Sequence, residues 1–362
     1  MKICYLAAAD SVHSYRWIKF FTDRGHEVRW ISLAPGTDRA RDLRPLEIAA
    51  PAFKPLRMAR ALLAARRLLH AVRPDVLHAH YAGTYGVVAA LTGFHPFVLT
   101  AWGSDVLIIG RSAAARPFIR FALRRADLIT VDALHMVEAV AGFGVPRERI
   151  RLVYFGTDTT AFRPEARSED LRRRLGAPIV ISLRSLEPVY DVGTLIRSVP
   201  IVVREVPSVR FLVAGRGTQE EALKDLARSL GVSSHVVFAG HLPAAQLPPY
   251  LASADVYVST ALSDAGLAAS TAEAMASGLP VVVTDSGENR VWVRDGENGF
   301  IVPTSAPEAL AERTIHLLHR PEARARLGAA NRQVIVARND YAQEMGKMEE
   351  LYNALHARGH PS

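Results

Sequence analysis

A segment of small residues, SDAGLAASTAEAMASG (263–278), carries one carboxylate, Glu273, seven residues after Gly266. The pattern predicts a turn that ends at Gly266 and a helix that begins at about Leu267. The free N–H groups and the dipole of a helix start favour a phosphate group. Two turns on, Ser270 and Glu273 share a helix face, where the carboxylate could accept hydrogen bonds from ribose hydroxyls. In the alternative interpretation, Glu273 is satisfied by an Arg or a backbone group of the protein itself.

Three further segments place suitable groups directly after predicted strands. Arg184 follows IVISL, and a guanidinium there could bind a diphosphate through two hydrogen bonds. Gly215 lies in VAGRG, a glycine turn that ends a strand. Gly240 and His241 follow HVVFA, where a nucleotide base could lie on backbone and apolar side chains. Because ligands of parallel sheets bind beyond the carboxyl ends of the strands, these groups predict one shared site.

Apolar, β-branched runs alternate with helical patterns along both halves of the chain. The predicted strands are 3–9, 27–33, 75–80, 96–102, 127–132 and 150–155, then 179–185, 209–215, 235–240, 255–260, 279–285 and 299–303. Two such series predict an α/β fold with two Rossmann-like, doubly wound domains. A polar segment (159–174) separates the series, so the predicted domains are 1–162 and 163–340. The last segment, 341–359, predicts a helix that packs back on the first domain.

The composition of the 362 residues is that of a globular protein, with 49% hydrophobic and 22% charged residues. No run of 18 apolar residues is present, so no membrane-spanning helix is predicted. The apolar N-terminal run ends at Asp10, which is too short for a signal peptide and favours a buried strand. The single cysteine, Cys4, can form no internal disulfide and suits a reducing compartment. We therefore expect a cytoplasmic protein.

The net charge of +8 is concentrated in the first half of the chain. Residues 1–160 hold 22 Lys and Arg against 13 Asp and Glu, whereas residues 161–362 hold 22 against 23. Such a surplus either keeps the surface solvated or meets an anionic partner. No nucleic-acid-binding motif accompanies the charge, so no nucleic-acid partner is expected.

Part of this basic surplus follows a helical repeat. Arg116, Arg120 and Arg124 recur every four residues beside Phe118 and Phe121, and a second basic amphipathic segment runs from 56 to 73. These patterns suit an N-terminal domain that rests on an anionic membrane surface. Helices packed on a sheet with their arginines outward give the same pattern.

The order of these segments resembles the GT-B retaining glycosyltransferases of family 4, also called glycosyl transferases group 1. The resemblance covers nearly the whole chain and is most specific where EAMASGLPVVV is followed by DGENG. RGHEV, PDVLHAHYAGTYG, TAWGSDV and FGTD are weaker matches in the first half. The resemblance implies two domains facing across a cleft, with the acceptor side in the first domain and the nucleotide sugar bound by the second.

The resemblance also implies roles for donor-side residues. The family's acid at Glu273 binds the nucleotide ribose, and its arginine at Arg184 contacts the diphosphate and stabilises the leaving group. The turn that holds the donor sugar and phosphate matches Asp264, Ala265, Gly266 and Leu267. Two positions depart from the family pattern, because Ala265 stands where a glutamate is expected and Tyr190 where a phosphate-binding lysine is expected.

On the acceptor side the resemblance points to the helix and loop after the first strand, and the ends of two later strands supply further candidates. The candidates are Ser11, His13, Arg16, His80, Tyr81 and Trp102. Trp102 stands where the family often has a histidine, and His80, at a strand end, is also of a type that is commonly structural. Asp105, in WGSD, is a candidate catalytic residue for a sugar or acceptor hydroxyl, or else it caps the helix that follows.

Together these features predict a glycosyltransferase that moves a hexose from a nucleotide-diphosphate sugar to a glycan or lipid-linked acceptor, with retention implied by the resemblance. The chain has no Asp-x-Asp pair and no Cys/His cluster, so no metal and no cofactor are expected. Two other hypotheses stay open: a non-catalytic nucleotide-sugar-binding scaffold of a glycan-assembly complex, and an enzyme that epimerises or hydrolyses the nucleotide sugar. We expect a role in polysaccharide or cell-envelope synthesis, peripheral to the inner face of the membrane.

Overall fold

The computed structural model of the chain describes residues 1–48 and 54–359. The chain divides into two compact units: the first runs from Met1 to Phe155 and takes in the chain from Gln343 onward, and the second is Gly156–Ala342. The boundary expected from the sequence, after residue 162, lies shortly downstream of this division. Each unit contains one parallel sheet with interleaved helices, which confirms the predicted α/β class with two Rossmann-like domains.

The first unit is built on a seven-stranded parallel sheet. Its strands are β1 (Lys2–Leu6), β2 (Glu27–Ser32), β3 (Leu46–Glu47), β4 (Val76–His80), β5 (Phe97–Ala101), β6 (Leu128–Val131) and β7 (Ile150–Leu152). Its helices include α1 (Val12–Asp23), α2 (Lys54–Val72), α3 (Thr84–Thr92), α4 (Ser104–Leu107), α5 (Arg116–Arg125) and α6 (Leu134–Ala141). The strand order is β3-β2-β1-β4-β5-β6-β7. The order reverses between β1 and β4, the point beyond which such sheets bind ligands.

The second unit repeats this plan with a six-stranded parallel sheet. Its strands are β8 (Ile179–Ser182), β9 (Arg210–Ala214), β10 (Val236–Gly240), β11 (Val256–Ser259), β12 (Val281–Thr284) and β13 (Gly299–Val302). Its helices are α7 (Glu169–Leu175), α8 (Val192–Glu205), α9 (Glu220–Ser229), α10 (Leu247–Ser253), α11 (Ala269–Ala276), α12 (Asn289–Trp292), α13 (Pro307–Leu318) and α14 (Pro321–Arg338). The strand order is β10-β9-β8-β11-β12-β13, and it reverses between β8 and β11.

Burial on both sheet faces explains why the strands are continuous apolar runs. Ile3, Cys4, Tyr5 and Leu6 of β1 are all at most 1% exposed, as are the valines of β12. Parallel sheets carry crossover helices on both faces, so inward and outward side chains alike are covered. The apolar cores of the two units therefore form separately around the two sheets.

The last helix, α15 (Tyr341–Gly359), packs within the first unit from Gln343 onward. Tyr352 is fully buried, and its hydroxyl lies 3.0 Å from that of Tyr5 on β1. Glu349 forms an ion pair with Arg24 at 2.8 Å. The C-terminal helix thus completes the core of the unit that the N-terminal strand begins.

In the second unit, α14 holds the C-terminal end of α11. The side chain of Asn331 donates to the carbonyl of Leu279 at 2.7 Å, and Arg332 donates to that of Ala276 at 2.8 Å. A Cβ on Gly328 would overlap the carbonyl oxygen of Gly278. The glycine in α14 is therefore required by the close approach of the two chains, and it fixes the helix that carries Glu273.

We expect Gly328→Ala to lower the free energy of unfolding by about 1–3 kcal/mol, because the added methyl meets backbone that cannot move aside. Gly346→Ala is the matched control: a Cβ there, in α15, meets nothing within 4 Å. It should raise stability by roughly 0.5–1 kcal/mol, since alanine is the better helix former. Thermal denaturation of both variants measures the two shifts, and equal effects of the same sign would contradict the packing argument.

Candidate functional site

A cavity of about 600 Å³ lies in the second unit where its strand order reverses. Groups from the ends of β8, β9, β10 and β11 and from the start of α11 meet there. Its lining consists of Leu183, Arg184, Ser185, Tyr190, Ala214, Gly215, Arg216, His241, Leu242, Leu247, Asp264, Ala268, Ala269, Ser270 and Glu273. This is the crevice position at which doubly wound sheets bind nucleotides.

The cavity collects most of the donor-side residues expected from the sequence. The members that line it are Arg184, Tyr190, Gly215, His241, Asp264, Ser270 and Glu273. The others, Gly240, Ala265, Gly266 and Leu267, are not part of its lining. Gly240 instead ends β10 and accepts a 2.8 Å hydrogen bond from the backbone N–H of Gly215. The remaining three lie in the turn between Asp264 and α11.

The helix start differs from the expectation. Helix α11 begins at Ala269, not at Leu267, and its N-cap residue Ala268 makes no side-chain capping bond. Asp264, a residue type that caps helices well, is engaged with Arg184 instead. Glu273 consequently lies one turn into the helix. The uncapped first turn still lines the cavity, so its backbone N–H groups remain available to an anion.

Arg184 occupies the floor of the cavity and is only 8% exposed. Its Nη2 donates to Oδ1 of Asp264 at 2.5 Å, and its Cζ lies 4.2 Å from the centroid of the Tyr190 ring. The Nε of Arg184 and the Oδ2 of Asp264 are buried without hydrogen-bond partners. Buried polar atoms are rarely left unpaired in folded proteins. The guanidinium of Arg184 therefore lines the cavity with hydrogen-bonding capacity that the protein itself does not use.

Burial acts on both charges of this pair. It works against the charged form of Arg184, but Tyr257 and Asp264 more than offset this and raise the pKa of the guanidinium. Burial also raises the pKa of Asp264, by more than Arg184 lowers it. Arg184 thus stays a cation, while the carboxylate of Asp264 is the less stable charge of the two.

Two glycines after β9 determine where Arg184 lies. A Cβ on Gly215 would overlap the carbonyl oxygen of Arg184, and one on Gly217 would overlap that of Leu186. The VAGRG turn therefore packs directly against the backbone that follows β8. Sequence reasoning took this segment as a turn and missed Arg216, a second cation in the cavity lining, although it stands within the same motif.

In the first unit, an aromatic group forms beyond the ends of β1 and β5. The Trp102 ring stacks on Phe155 with 4.7 Å between centroids and 4° between planes, and His13 lies 4.3 Å from Phe155. The structure thus joins two acceptor-side candidates through Phe155, which was not among the predicted site residues. The signal was its place at the start of FGTD.

The other acceptor-side candidates have local structural contacts. The Oγ of Ser11 caps α1 by accepting from the N–H of Ser14 at 3.2 Å. Arg16 follows His13 by three positions, on the same face of α1. Tyr81 has a positive φ of 82°, directly after β4. These residues share the carboxyl edge of the sheet, where its order reverses.

His80 is buried, with its Nδ1 3.0 Å from the Oγ of Ser14. The rings of Trp17 and Trp102 lie 5.3 and 5.1 Å away, and Nε2 has no hydrogen-bond partner. Burial lowers the pKa of His80 to about 3, with a smaller contribution from His13. The imidazole is therefore neutral at physiological pH.

Asp105 is fully buried in the first unit and accepts backbone hydrogen bonds on both carboxylate oxygens. Oδ2 accepts from Ala82 N at 2.6 Å, and Oδ1 accepts from Trp102 N at 3.1 Å and Val106 N at 3.0 Å. Gly103, not Asp105, is the N-cap of α4. The carboxylate ties together the chain segments that follow β4 and β5, which is the geometry of a positioning residue.

Within residues 1–48 and 54–359, no group of three or more His, Cys, Asp or Glu side chains is arranged to hold a metal ion. Across the same ranges, every helix is too short or too polar to cross a lipid bilayer.

Comparison with known proteins relates both units to one class of enzymes. The family model described as glycosyl transferases group 1 matches residues 165–334, and the model described as glycosyl transferase 4-like matches residues 2–133.

Individual relatives agree with these matches. The chain is 34% identical, over 68% of its length and 67% of the relative's, to a GDP-mannose-dependent alpha-(1-6)-phosphatidylinositol monomannoside mannosyltransferase of Mycolicibacterium smegmatis. It is 31% identical to a D-inositol 3-phosphate glycosyltransferase of Acidothermus cellulolyticus, over 66% of this chain and 58% of that one. The crystal structure of Anabaena Alr3699/HepE in complex with UDP shares the fold, with a TM-score of 0.82, 21% identity and coverage of 98% and 100%.

Asp264→Asn should strengthen the binding of inorganic pyrophosphate roughly tenfold, equivalent to about 1.4 kcal/mol, because the carboxylate no longer competes for Arg184. Asp285→Asn is the control, since Asp285 is an exposed, ion-paired carboxylate outside the cavity lining of the same unit. Isothermal titration calorimetry gives both affinities. Weaker binding by Asp264→Asn would mean that the carboxylate holds Arg184 in place rather than competing with the anion.

The stability of the first unit should fall as the pH drops below 6.5, the ordinary pKa of histidine. The unfolded chain takes up a proton on His80 near that pH, whereas the folded chain does so only near pH 3. The contribution of neutral His80 to stability is therefore complete above pH 6.5 and is lost towards pH 3, at a slope of up to about 1.4 kcal/mol per pH unit. Burial also lowers the pKa of the neighbouring His78, which adds to the acid response in the same direction.

His80→Asn should reduce the slope without abolishing it, because His78 remains, and His70→Asn, at an exposed position of α2, should leave it unchanged. Urea unfolding followed by tryptophan fluorescence reports mainly on the first unit, which holds Trp17, Trp30 and Trp102. Identical slopes for all three proteins would show that His80 does not control the acid response.

Proposed function

Because the chain belongs to the glycosyl transferases group 1 family, we propose that it moves a hexose from a nucleotide-diphosphate sugar to a glycan or lipid-linked acceptor, with retention of configuration and without a metal. One observation carries this proposal. A buried guanidinium with an unpartnered Nε faces the same cavity as the uncapped start of α11. That combination suits a diphosphate, which takes both charge-assisted and backbone hydrogen bonds.

The rest of the cavity suits the remaining parts of a nucleotide. The carboxylate of Glu273 lies one turn beyond the helix start, within reach of ribose hydroxyls that follow a diphosphate bound there. His241 and Leu242 line the cavity and offer an aromatic ring and an apolar side chain to a base. Arg216 adds a second positive charge at the exposed side of the cavity.

The chemical step is a displacement at the anomeric carbon of the sugar. The bond from that carbon to the diphosphate breaks with its electron pair on the diphosphate oxygen. The acceptor hydroxyl oxygen forms the new bond from the same face, and its proton passes to the departing diphosphate. The charge that grows on the leaving group is received by Arg184 and the α11 N–H groups, and one such contact is worth about 3 kcal/mol.

Tyr190 alters this arrangement compared with a lysine at the same position. A lysine would add a second charge next to the diphosphate, whereas the Tyr190 ring lies against the guanidinium of Arg184. A cation–π contact holds the guanidinium in place but supplies no charge. More of the leaving-group stabilisation therefore rests on Arg184. Metal independence is supported by the absence of an Asp-x-Asp pair in the sequence.

The acceptor belongs, in this proposal, to the first unit, at the carboxyl edge near Trp102, His13 and Phe155. A lipid-linked acceptor is supported by the relative that acts on a phosphatidylinositol mannoside. With such an acceptor the enzyme works at the inner face of the membrane, where the buried free thiol of Cys4 stays reduced.

A scaffold that binds nucleotide sugars without transfer is the second candidate, motivated by Ala265 and Tyr190 at positions where the family has charged residues. Purified protein incubated with GDP-mannose, UDP-glucose and ADP-glucose, with and without a phosphatidylinositol mannoside acceptor, separates the two. Transfer to the acceptor is the expected outcome. Binding without turnover favours the scaffold, and hydrolysis or epimerisation without acceptor favours the third hypothesis.

Arg184→Ala should lower kcat by about 10²- to 10³-fold, because a preorganised cation at the leaving group is lost. Glu273→Ala should weaken the affinity for the nucleoside diphosphate, since the ribose contact disappears. Arg228→Ala and Glu322→Ala, at exposed positions outside the cavity lining, are the controls. Steady-state kinetics and calorimetry with the productive donor measure both effects. An unchanged nucleotide affinity in Glu273→Ala would remove that residue from the site.

A further inference from the structure

The segment between α4 and the end of α5 exposes an unusual number of large apolar side chains. Ile108 is 70% exposed, Phe118 61%, Phe121 39% and Ile109 38%. The short 3₁₀ turn Ile109–Arg111 packs against α5, so the two pairs lie on adjoining elements of one unit. The core of the unit does not need them, because Ile119, Ala122 and Leu123 form the buried face of α5.

The same segment carries positive charge that the protein leaves uncompensated. Residues 106–125 contain five arginines and no Asp or Glu. Among the ion pairs of the described residues, none involves Arg111, Arg120, Arg124 or Arg125. By contrast, α9 pairs its cations internally, as in Lys224 with Glu220 at 2.9 Å. The counter-charge for these four arginines therefore lies outside the described protein.

Arg116 has a different role from the other four. Its guanidinium lies 4.4 Å from the centroid of the Phe143 ring and donates to the carbonyl of Gly110 at 3.3 Å. It thereby fastens the turn that carries Ile109 to the first turn of α5. The turn and the helix that carry the exposed apolar side chains are therefore held together by Arg116.

We propose that Ile108, Ile109, Phe118 and Phe121, with Arg111, Arg120, Arg124 and Arg125 around them, form a surface that docks on an anionic lipid bilayer; we call it the Arg–Phe patch. The apolar side chains enter the interfacial layer, and the guanidinium groups bind the phosphate oxygens of the headgroups. A second copy of this chain would bring four unpaired arginines against four others, which opposes self-association at this face. Phe118 and Phe121 could stack on bases, but Ile108, the most exposed of the four at 70%, and Ile109 could not, whereas a bilayer takes up all four side chains.

The Arg–Phe patch follows directly on the chain segment at the acceptor edge of the first unit. It begins at Ile108, three residues after Asp105, whose carboxylate holds the chain that follows β5. A bilayer on the patch would lie close to the acceptor edge of the first unit and would present a lipid-linked hydroxyl there. This consequence rests on the proposed function, whereas the docking itself involves no sugar donor.

Co-sedimentation of the full chain with lipid vesicles tests the docking. Vesicles of phosphatidylcholine with about 30% phosphatidylglycerol should bind the protein at least tenfold more tightly than pure phosphatidylcholine, and added salt should weaken the binding. The double variant Phe118→Ser/Phe121→Ser and the double variant Arg120→Gln/Arg124→Gln should each reduce the partition coefficient roughly tenfold or more.

Matched controls separate the patch from general effects of charge and apolar exposure. Leu63→Ser/Leu91→Ser removes two other exposed apolar side chains of the first unit, and Arg173→Gln/Arg228→Gln removes two charges from the second. Both controls should bind vesicles like the unmodified chain. The proposal is overturned if vesicles do not bind, if the controls lose binding as much as the patch variants, or if the patch arginines instead bind a single-stranded oligonucleotide or mediate a dimer.

Two further measurements on the same samples distinguish a failure of the docking surface from a failure of the proposed function. They are pyrophosphate binding and sugar transfer to a water-soluble acceptor. If the unmodified chain does not bind vesicles but retains both of these activities, the docking surface alone is overturned. Vesicle binding without pyrophosphate affinity would leave the patch standing and remove the donor site.

Discussion

A buried positive charge is the constraint around which the second unit is arranged. Arg184 can remain ionised at 8% exposure only if anionic or polar groups surround it, and Asp264, Tyr190 and Tyr257 supply that environment. Neither partner of the ion pair is fully satisfied, since one nitrogen and one oxygen stay unpaired. In the proposed function, Arg184 supplies a cation to the diphosphate, and Asp264, whose charged form burial disfavours, occupies part of the guanidinium.

The backbone around this charge is set by close approaches that only glycine permits. Gly215 lets the chain after β9 contact the carbonyl of Arg184, and Gly328 lets α14 contact the end of α11. The first contact fixes the backbone that carries Arg184, and the second fixes the helix that lines the cavity with Ser270 and Glu273. The relative position of the charged groups therefore depends on packing at the cavity wall, at Gly215, and on packing outside the lining, at Gly328.

In the first unit, by contrast, the buried polar groups at the sheet edge carry no unpaired positive charge. His80 and Asp105 are buried at the carboxyl edge of the sheet, neutral in one case and bonded to backbone N–H groups in the other. They give the edge a fixed shape, beside which Trp102, Phe155 and His13 present their rings. Within residues 1–48 and 54–359, the exposed arginines of α5 form no ion pair. A rigid aromatic edge beside a cationic, apolar surface is a suitable arrangement for an acceptor that arrives on a lipid.

The sequence alone determined the two Rossmann-like units, the family, and seven of the fifteen residues that line the cavity, because strand periodicity and strand-end positions are local properties of the chain. Tertiary structure decided the rest. Contacts between residues distant in sequence determine that Asp264 pairs with Arg184 and that the Asp105 carboxylate accepts backbone hydrogen bonds. They also determine that α11 begins at Ala269. Arg216 and Phe155 lie within VAGRG and FGTD, but only the tertiary structure shows which side chains of these segments lie at the sites.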